Sequence, residues 1–277
     1  MLAIYVLSHN RPQFILQCVH SVLKATSEFD EVDLFVSDNS PNDNVVKILN
    51  KSSLRVNILR RERYMTGIKH INHCIAEARE KRYSHVCVFH DDDIMMKDFV
   101  KETINAIKRY PTKAAVCFNI ASSKKTSHGT ISIKNDIISS LFAIGRNEII
   151  PFPSFTYNLK VIGEALLDES IGKHCDVEFL LRVAEYGDIA IINSPQIKTR
   201  IHSNSDSYNE SIRDRRKLLN AILRNYQLPR AFFKSYRIAY ILRKKRLNRC
   251  NIRLLQNKRF IPYFWAHLIA YAKSIIK

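Results

Sequence analysis

The stretch VCVFHDDD, Val86 to Asp93, carries an apolar run straight into three adjacent carboxylates. A short, continuous apolar run with polar ends reads as a strand buried on both faces, the kind found in parallel sheets covered by helices. In such sheets ligands collect at the carboxyl ends of the strands, and Asp91, Asp92 and Asp93 stand at such an end. Three like charges there repel one another, so something positive must offset them. Capping of a following helix accounts for one aspartate, or for two. A hard divalent cation, Mg²⁺ or Mn²⁺, accounts for all three.

The rest of the chain agrees with a sheet of this kind. Leu2–Leu7, Val32–Val36, Val56–Leu59, Val86–Phe89 and Ala114–Ile120 read as strands. Between them, Pro12 opens a segment in which Phe14, Ile15, Val19, Val22 and Leu23 recur at helical spacing, and Gly67–Ala78 and Asp98–Tyr110 are predicted helices. The alternation up to about residue 120 predicts an α/β fold with a mostly parallel central sheet flanked by helices. Residues 121–165 are less regular. A helix over Asp176–Tyr186 follows, with Gly187 as its C-cap, then a strand at Ile189–Ile192 and a polar loop at Ser203–Tyr208. Ile212–Asn225, Ala231–Arg249 and Phe260–Ile276 read as three further helices.

The charge is divided unevenly. The 277 residues carry a formal net charge of +18. From Ser211 onward there are 18 Lys and Arg against the single acid Asp214, whereas residues 1–210 hold 26 bases and 25 acids. The predicted organisation is a catalytic domain at 1–210, with a 1–120 half and a 121–210 half, followed by a basic amphipathic helical extension at 211–277. The six cysteines, at 18, 74, 87, 117, 175 and 250, form no C-x-x-C pair and several lie in apolar runs, so they read as reduced core residues. The opening MLAIYVLSHNRP reads as a first strand rather than a signal peptide, and no apolar run reaches the roughly 20 residues that span a bilayer.

Four motifs, in order, resemble the family 2 glycosyltransferases of GT-A fold: LSHNRP after the first strand, VSDNSPND after the second, HDDD as a D-x-D element, and CDVEFLLRVAEYG as an acid-initiated helix ending in glycine. The resemblance covers about residues 1–205. It implies an inverting, metal-dependent hexosyltransferase that moves a sugar from a nucleotide diphosphate, a UDP-sugar by preference, to a saccharide or lipid-linked acceptor in bacterial polysaccharide or lipopolysaccharide assembly. It implies that 1–120 binds the nucleotide and 121–210 the acceptor. By the same resemblance Asp38 contacts the nucleobase, His9 stacks on it, and Arg11 and Lys69 add donor contacts. Asp91 and Asp93 are the D-x-D pair, with Asp92 between them. Arg200 and His202 lie near the diphosphate, and Asp93, Asp91 and His202 are the implied ligands of Mn²⁺ or Mg²⁺. Asp176 is the implied general base, although the glutamate usual before it is Cys175 here. Each residue also has a plainer reading. Asp38 suits an Asx turn opening SDNSPN, Asp176 suits a helix N-cap, and the Arg60–Arg63 step suits a solvated charge run.

In the extension, Phe232, Phe233, Tyr236, Tyr240 and Ile241 fall on one helical face beside bases such as those of RKKRLNR. That pattern suits a helix lying on an anionic membrane, and the family resemblance implies a place at the inner face of the cytoplasmic membrane. A helix packed on the catalytic domain and a nucleic-acid surface are the other readings. Two further functions stay open on sequence alone. One is a nucleotidyltransferase, which would want a glycine-rich phosphate loop where SHNRPQF has no glycine. The other is a nucleic-acid-binding protein with an inactive α/β domain.

Overall fold

The computed structural model describes residues 1–61, 65–118, 129–131, 152–192, 194, 196–200 and 212–225. In chain order the strands are β1 (Leu2–Ser8), β2 (Val32–Asp38), β3 (Asn57–Arg60), β4 (His85–His90), β5 (Ile94–Met95), β6 (Ala115–Phe118), β7 (Gly129–Ile131), β8 (Phe155–Asn158), β9 (Ile189–Ile192) and β10 (Ile197–Lys198). The helices are α1 (Pro12–Thr26), α2 (Asn44–Lys51), α3 (Gly67–Glu80), α4 (Phe99–Arg109), α5 (Leu159–Ile162), α6 (Cys175–Tyr186) and α7 (Ile212–Asn225). Two compact units result. Met1–Ile133 with Ile150–Glu210 form the first, and Lys134–Ile149 with Ser211–Lys277 the second.

The first unit is built on an eight-stranded sheet of order β3-β2-β1-β4-β8-β6-β9-β7. Strands β3, β2, β1 and β4 run parallel, as do β6 and β9, while β8 and β7 are antiparallel to their neighbours. The chain leaves β1 toward β2 and returns to β4 on β1's other side, so the strand order reverses at β1. This is the switch point at which α/β sheets form their ligand crevice. Register places the strand ends level. Ser8 lies opposite Asp38, Leu7 opposite His90, and Asp38 opposite Arg60.

Burial follows the apolar pattern. Every residue of β1 except Leu7 is buried, and Ile15, Cys18, Val19 and Val22 of α1 are at 0% exposure on the face turned to the sheet. Under α4, Phe99 packs edge-on to Phe89 at 6.3 Å and lies 5.0 Å from Phe118 between ring centroids. Pro12 sits in the first turn of α1, where its missing N–H costs nothing. Gly187 ends α6 in an extended conformation rather than a left-handed one. Its need is for space, since a Cβ there would stand 3.4 Å from both Ala114 N and Val161 Cγ1.

The irregular middle contains what the sequence pattern did not resolve. β8 inserts antiparallel between β4 and β6, pairing Val86 with Tyr157 and Val116 with Thr156. A two-stranded ribbon of β5 and β10 brings Lys198 opposite Ile94, directly after the three aspartates. The five described cysteines, Cys18, Cys74, Cys87, Cys117 and Cys175, are free and buried. Burial pushes the Cys74 thiol up to about 11 and the Cys87 and Cys175 thiols to about 12, which keeps them protonated and inert. In the second unit, Leu218, Ala221 and Ile222 of α7 are buried while Lys217, Asn220 and Arg224 are exposed. No helix among the described residues is long and apolar enough to cross a membrane. Phe232 to Ile241 lie outside the described residues.

Candidate active site

The aspartates cap no helix. They form the turn between β4 and β5, and the next helix, α4, starts six residues later with Asp98 as its N-cap. Their environment is built instead from the turn that follows β1. There Asn10 takes a left-handed φ of 53°, which Asn tolerates better than most residues. Its N–H donates to Ser40 Oγ at 2.6 Å, tying this turn to the one after β2. The reversal points Arg11 back at the carboxylates. As the residue before α1 it makes no side-chain cap, and Nη1 lies 3.1 Å from Asp91 Oδ1 and 3.1 Å from Asp92 Oδ2.

Each carboxylate has a distinct setting. Asp91 is fully buried, and its Oδ2 accepts from Ser8 Oγ at 2.9 Å and His9 N at 3.4 Å. Burial pushes its carboxyl up to about 6, against the opposing pull of Arg11. Asp93 Oδ1 accepts from the backbone N–H of Arg200 at 3.2 Å, a contact delivered by the β5–β10 ribbon. Burial and the neighbouring Asp92 push the Asp93 carboxyl up to about 7. Ligand atoms of His90, Asp92 and Asp93 lie within 4.8 Å of one another. An imidazole and two carboxylates form a donor set that suits Mn²⁺, so these residues fit a divalent cation. His90 was not singled out by sequence reasoning. Only its place at the end of β4, one residue before the aspartates, could have marked it. Asp91 lies outside this set and belongs to Ser8 and Arg11.

The end of β2 is linked to the carboxylates through the β1 turn. His9 Nδ1 lies 2.9 Å from Asn39 Oδ1 and 3.3 Å from Asn39 O, two acceptors that place the proton on Nδ1. Asn39 Nδ2 in turn donates to Met65 O at 2.9 Å. Asp38 has 0% exposure, and its Oδ1 accepts from Ser40 N at 3.0 Å and also from Ser40 Oγ. Its Oδ2 is 3.3 Å from Arg60 Nη1. These are the contacts of an Asx turn with a cationic partner, and they hold the end of β2 against the end of β3. Arg200 stacks its guanidinium 5.1 Å from the Phe14 ring centroid, with Nη2 buried and unpartnered among the described residues. His202, Arg63 and Tyr64 lie outside the described residues.

Two predicted site residues sit on other elements. Lys69, in the first turn of α3, is 4.0 Å from Glu169, in the turn before α6. Asp176 is the second residue of α6, whose N-cap is His174, so it is not the cap itself. Burial raises its carboxyl, the Val177 amide and His174 lower it, and its Oδ1 is buried without a partner among the described residues. The turn before it is held from two sides. Asn72 exchanges two hydrogen bonds with the Leu167 backbone at 2.9 and 2.8 Å, and Arg182 bridges Leu166 O to the buried Glu178. A carboxylate in the first turn of a helix, with a raised pKa and a buried oxygen without a partner among the described residues, has the attributes of a base.

A family model described as glycosyl transferase family 2 matches residues 3–162. No curated protein sequence matches the chain. Among solved structures, the chain is similar to Staphylococcus aureus TarS at 16% identity and a TM-score of 0.58, covering 90% of this chain and 44% of that one. TarS 1–349 in complex with UDP-GlcNAc is similar at 15% identity and a TM-score of 0.59, covering 97% of this chain and 81% of that one. A mannosyltransferase from Pyrobaculum calidifontis, PcManGT, in complex with GDP-Man and Mn²⁺ is similar at 12% identity and a TM-score of 0.53, covering 99% of this chain and 86% of that one. The chain thus spans less than half the length of the longer TarS chain.

Proposed function

Because the chain belongs to glycosyl transferase family 2 and is a glycosyltransferase, we propose that it moves a sugar, with inversion, from a nucleotide-diphosphate sugar bound at the β1 switch point to a hydroxyl of a saccharide or lipid-linked acceptor. The observation that carries this reading is the convergence of Arg11, His90, Asp92, Asp93 and Arg200 at one level of the sheet edge, one turn from the buried Asp38. Cations and carboxylates together suit a diphosphate bridged by a metal, and UDP is the preferred nucleotide.

His90, Asp92 and Asp93 would hold Mn²⁺ or Mg²⁺, which neutralises the departing diphosphate. Arg11 and Arg200 add fixed positive charge on the same side, and His202 is assigned there with them. His9 and Asp38 shape the base end, and Lys69 adds a donor contact. Asp176 takes the proton from the acceptor hydroxyl as that oxygen bonds to the anomeric carbon. The bond from that carbon to the diphosphate oxygen breaks, and the proton later passes from Asp176 to solvent. Domain boundaries at 210, a membrane-facing basic extension, and a role in bacterial surface polysaccharide assembly belong to the same proposal.

A thermal-shift screen of UDP- and GDP-sugars with and without Mn²⁺ tests it. A ligand at 100 times its dissociation constant stabilises by about 2.7 kcal/mol, a shift of several degrees. No metal-dependent shift with any nucleotide sugar would defeat the reading.

A further inference from the structure

Three adjacent carboxylates at a buried strand end demand a positive partner, and within this chain Arg11 supplies it. Its guanidinium touches Asp91 and Asp92, each at 3.1 Å. The two contacts are not equivalent. Asp91 has a side chain 1% exposed and is anchored by Ser8 Oγ, the His9 amide and its own N–H to Leu7 O. Asp92 is the more open of the two, and it is shared, since it also belongs to the group of donors formed with His90 and Asp93. Arg11 itself has a side chain a quarter exposed and sits on the turn before α1.

We propose that Arg11 is a built-in counter-ion that a divalent cation displaces from Asp92, while Arg11 keeps its hold on Asp91. The inference rests on the metal reading above. One carboxylate cannot serve a guanidinium and a divalent cation at full strength, because the two positive charges repel at that range. Metal binding and the Arg11–Asp92 contact therefore compete, and the competition is reciprocal. A guanidinium released from Asp92 keeps its positive charge beside the metal. A diphosphate arriving there supplies the anion that Asp92 no longer gives. Metal and nucleotide diphosphate consequently bind with positive coupling, and Arg11 carries part of it. The device also explains how the carboxylates stay packed before any ligand arrives.

The experiment is Mn²⁺ titration of the full chain, followed by the free-ion paramagnetic resonance signal, with and without UDP. In Arg11→Gln, Asp92 loses its ion pair with the guanidinium, and Mn²⁺ alone should bind about tenfold more tightly, the effect of one nearby opposite charge on a carboxylate. The gain in Mn²⁺ affinity on adding UDP should shrink in the same variant. Arg11→Lys retains a charge but not the paired geometry and should fall between. Mn²⁺ affinity that is unchanged or weaker in Arg11→Gln, with the parent binding Mn²⁺ and Asp93→Ala losing it, overturns the counter-ion proposal and leaves the metal reading standing. A parent that binds no Mn²⁺, with or without UDP, overturns both.

Discussion

His70 is a buried histidine that should set the acid limit of the fold. It lies on α3 at 2% exposure, with Nε2 2.7 Å from Ser37 Oγ. Arg61 Nε donates to that same hydroxyl at 2.9 Å. The hydroxyl thus accepts from Arg61 and donates to His70, which must be neutral at Nε2. A protonated ring would set a second cationic donor against the one already there. Burial, then Arg61, lowers the His70 pKa from 6.5 to about 3. Between those values the unfolded chain binds a proton that the folded chain refuses. Stability therefore falls as pH falls through this window, by about 1.4 kcal/mol per pH unit. From pH 7.5 to 5.0 this one site removes about 2 kcal/mol. His70→Gln preserves an acceptor for Ser37 and cannot titrate. Urea unfolding of both proteins at pH 7.5 and 5.0 gives the two losses. His85, lowered to about 4 by burial, and the raised carboxylates act in both and cancel in the difference. The parent should lose about 2 kcal/mol more than the variant. Losses equal to within about 0.5 kcal/mol, close to the error of the extrapolation, would refute the neutral Ser37–His70 contact.

Other predictions concern the site, the core and the extension. Asp93→Ala should abolish Mn²⁺-dependent binding of UDP in calorimetry while far-ultraviolet circular dichroism stays unchanged; full metal-dependent affinity would remove Asp93 from the ligand set. Asp176→Asn should bind donor normally and lose turnover by at least about 10²-fold, so near-normal turnover would leave Asp176 a purely structural residue. Phe99→Ala should cost about 3–5 kcal/mol in denaturant unfolding, because the ring is fully buried between Phe89 and Phe118. The full chain should sediment with anionic but not neutral vesicles, and less so as salt rises, given 18 bases and one acid after residue 210. Equal behaviour with both lipids would dismiss the membrane reading.

The sequence by itself determined the part of this protein governed by local periodicity. Short apolar runs with polar ends marked β1, β2, β4, β6 and β9, and 3.6-residue spacing marked α1, α3, α4 and α6. The ends of those strands carried Asp38 and the three aspartates, so the sheet edge holding the site was legible too. What the tertiary structure decided are the pairings between residues far apart in the chain. β8 is four residues long, and its own sequence does not say that it runs antiparallel between β4 and β6. Asp93 meets the Arg200 amide 107 residues later only because β5 and β10 form a ribbon. The LSHNRP motif marked Arg11 as a donor contact, but nothing in the sequence showed which side chains it would meet. A left-handed residue at Asn10 and the level ends of β1 and β4 turn it onto two carboxylates 80 residues away. Residue type and spacing record which groups an edge will carry. Which charge offsets which depends on register and turn geometry, and those are settled by the packing of the whole sheet.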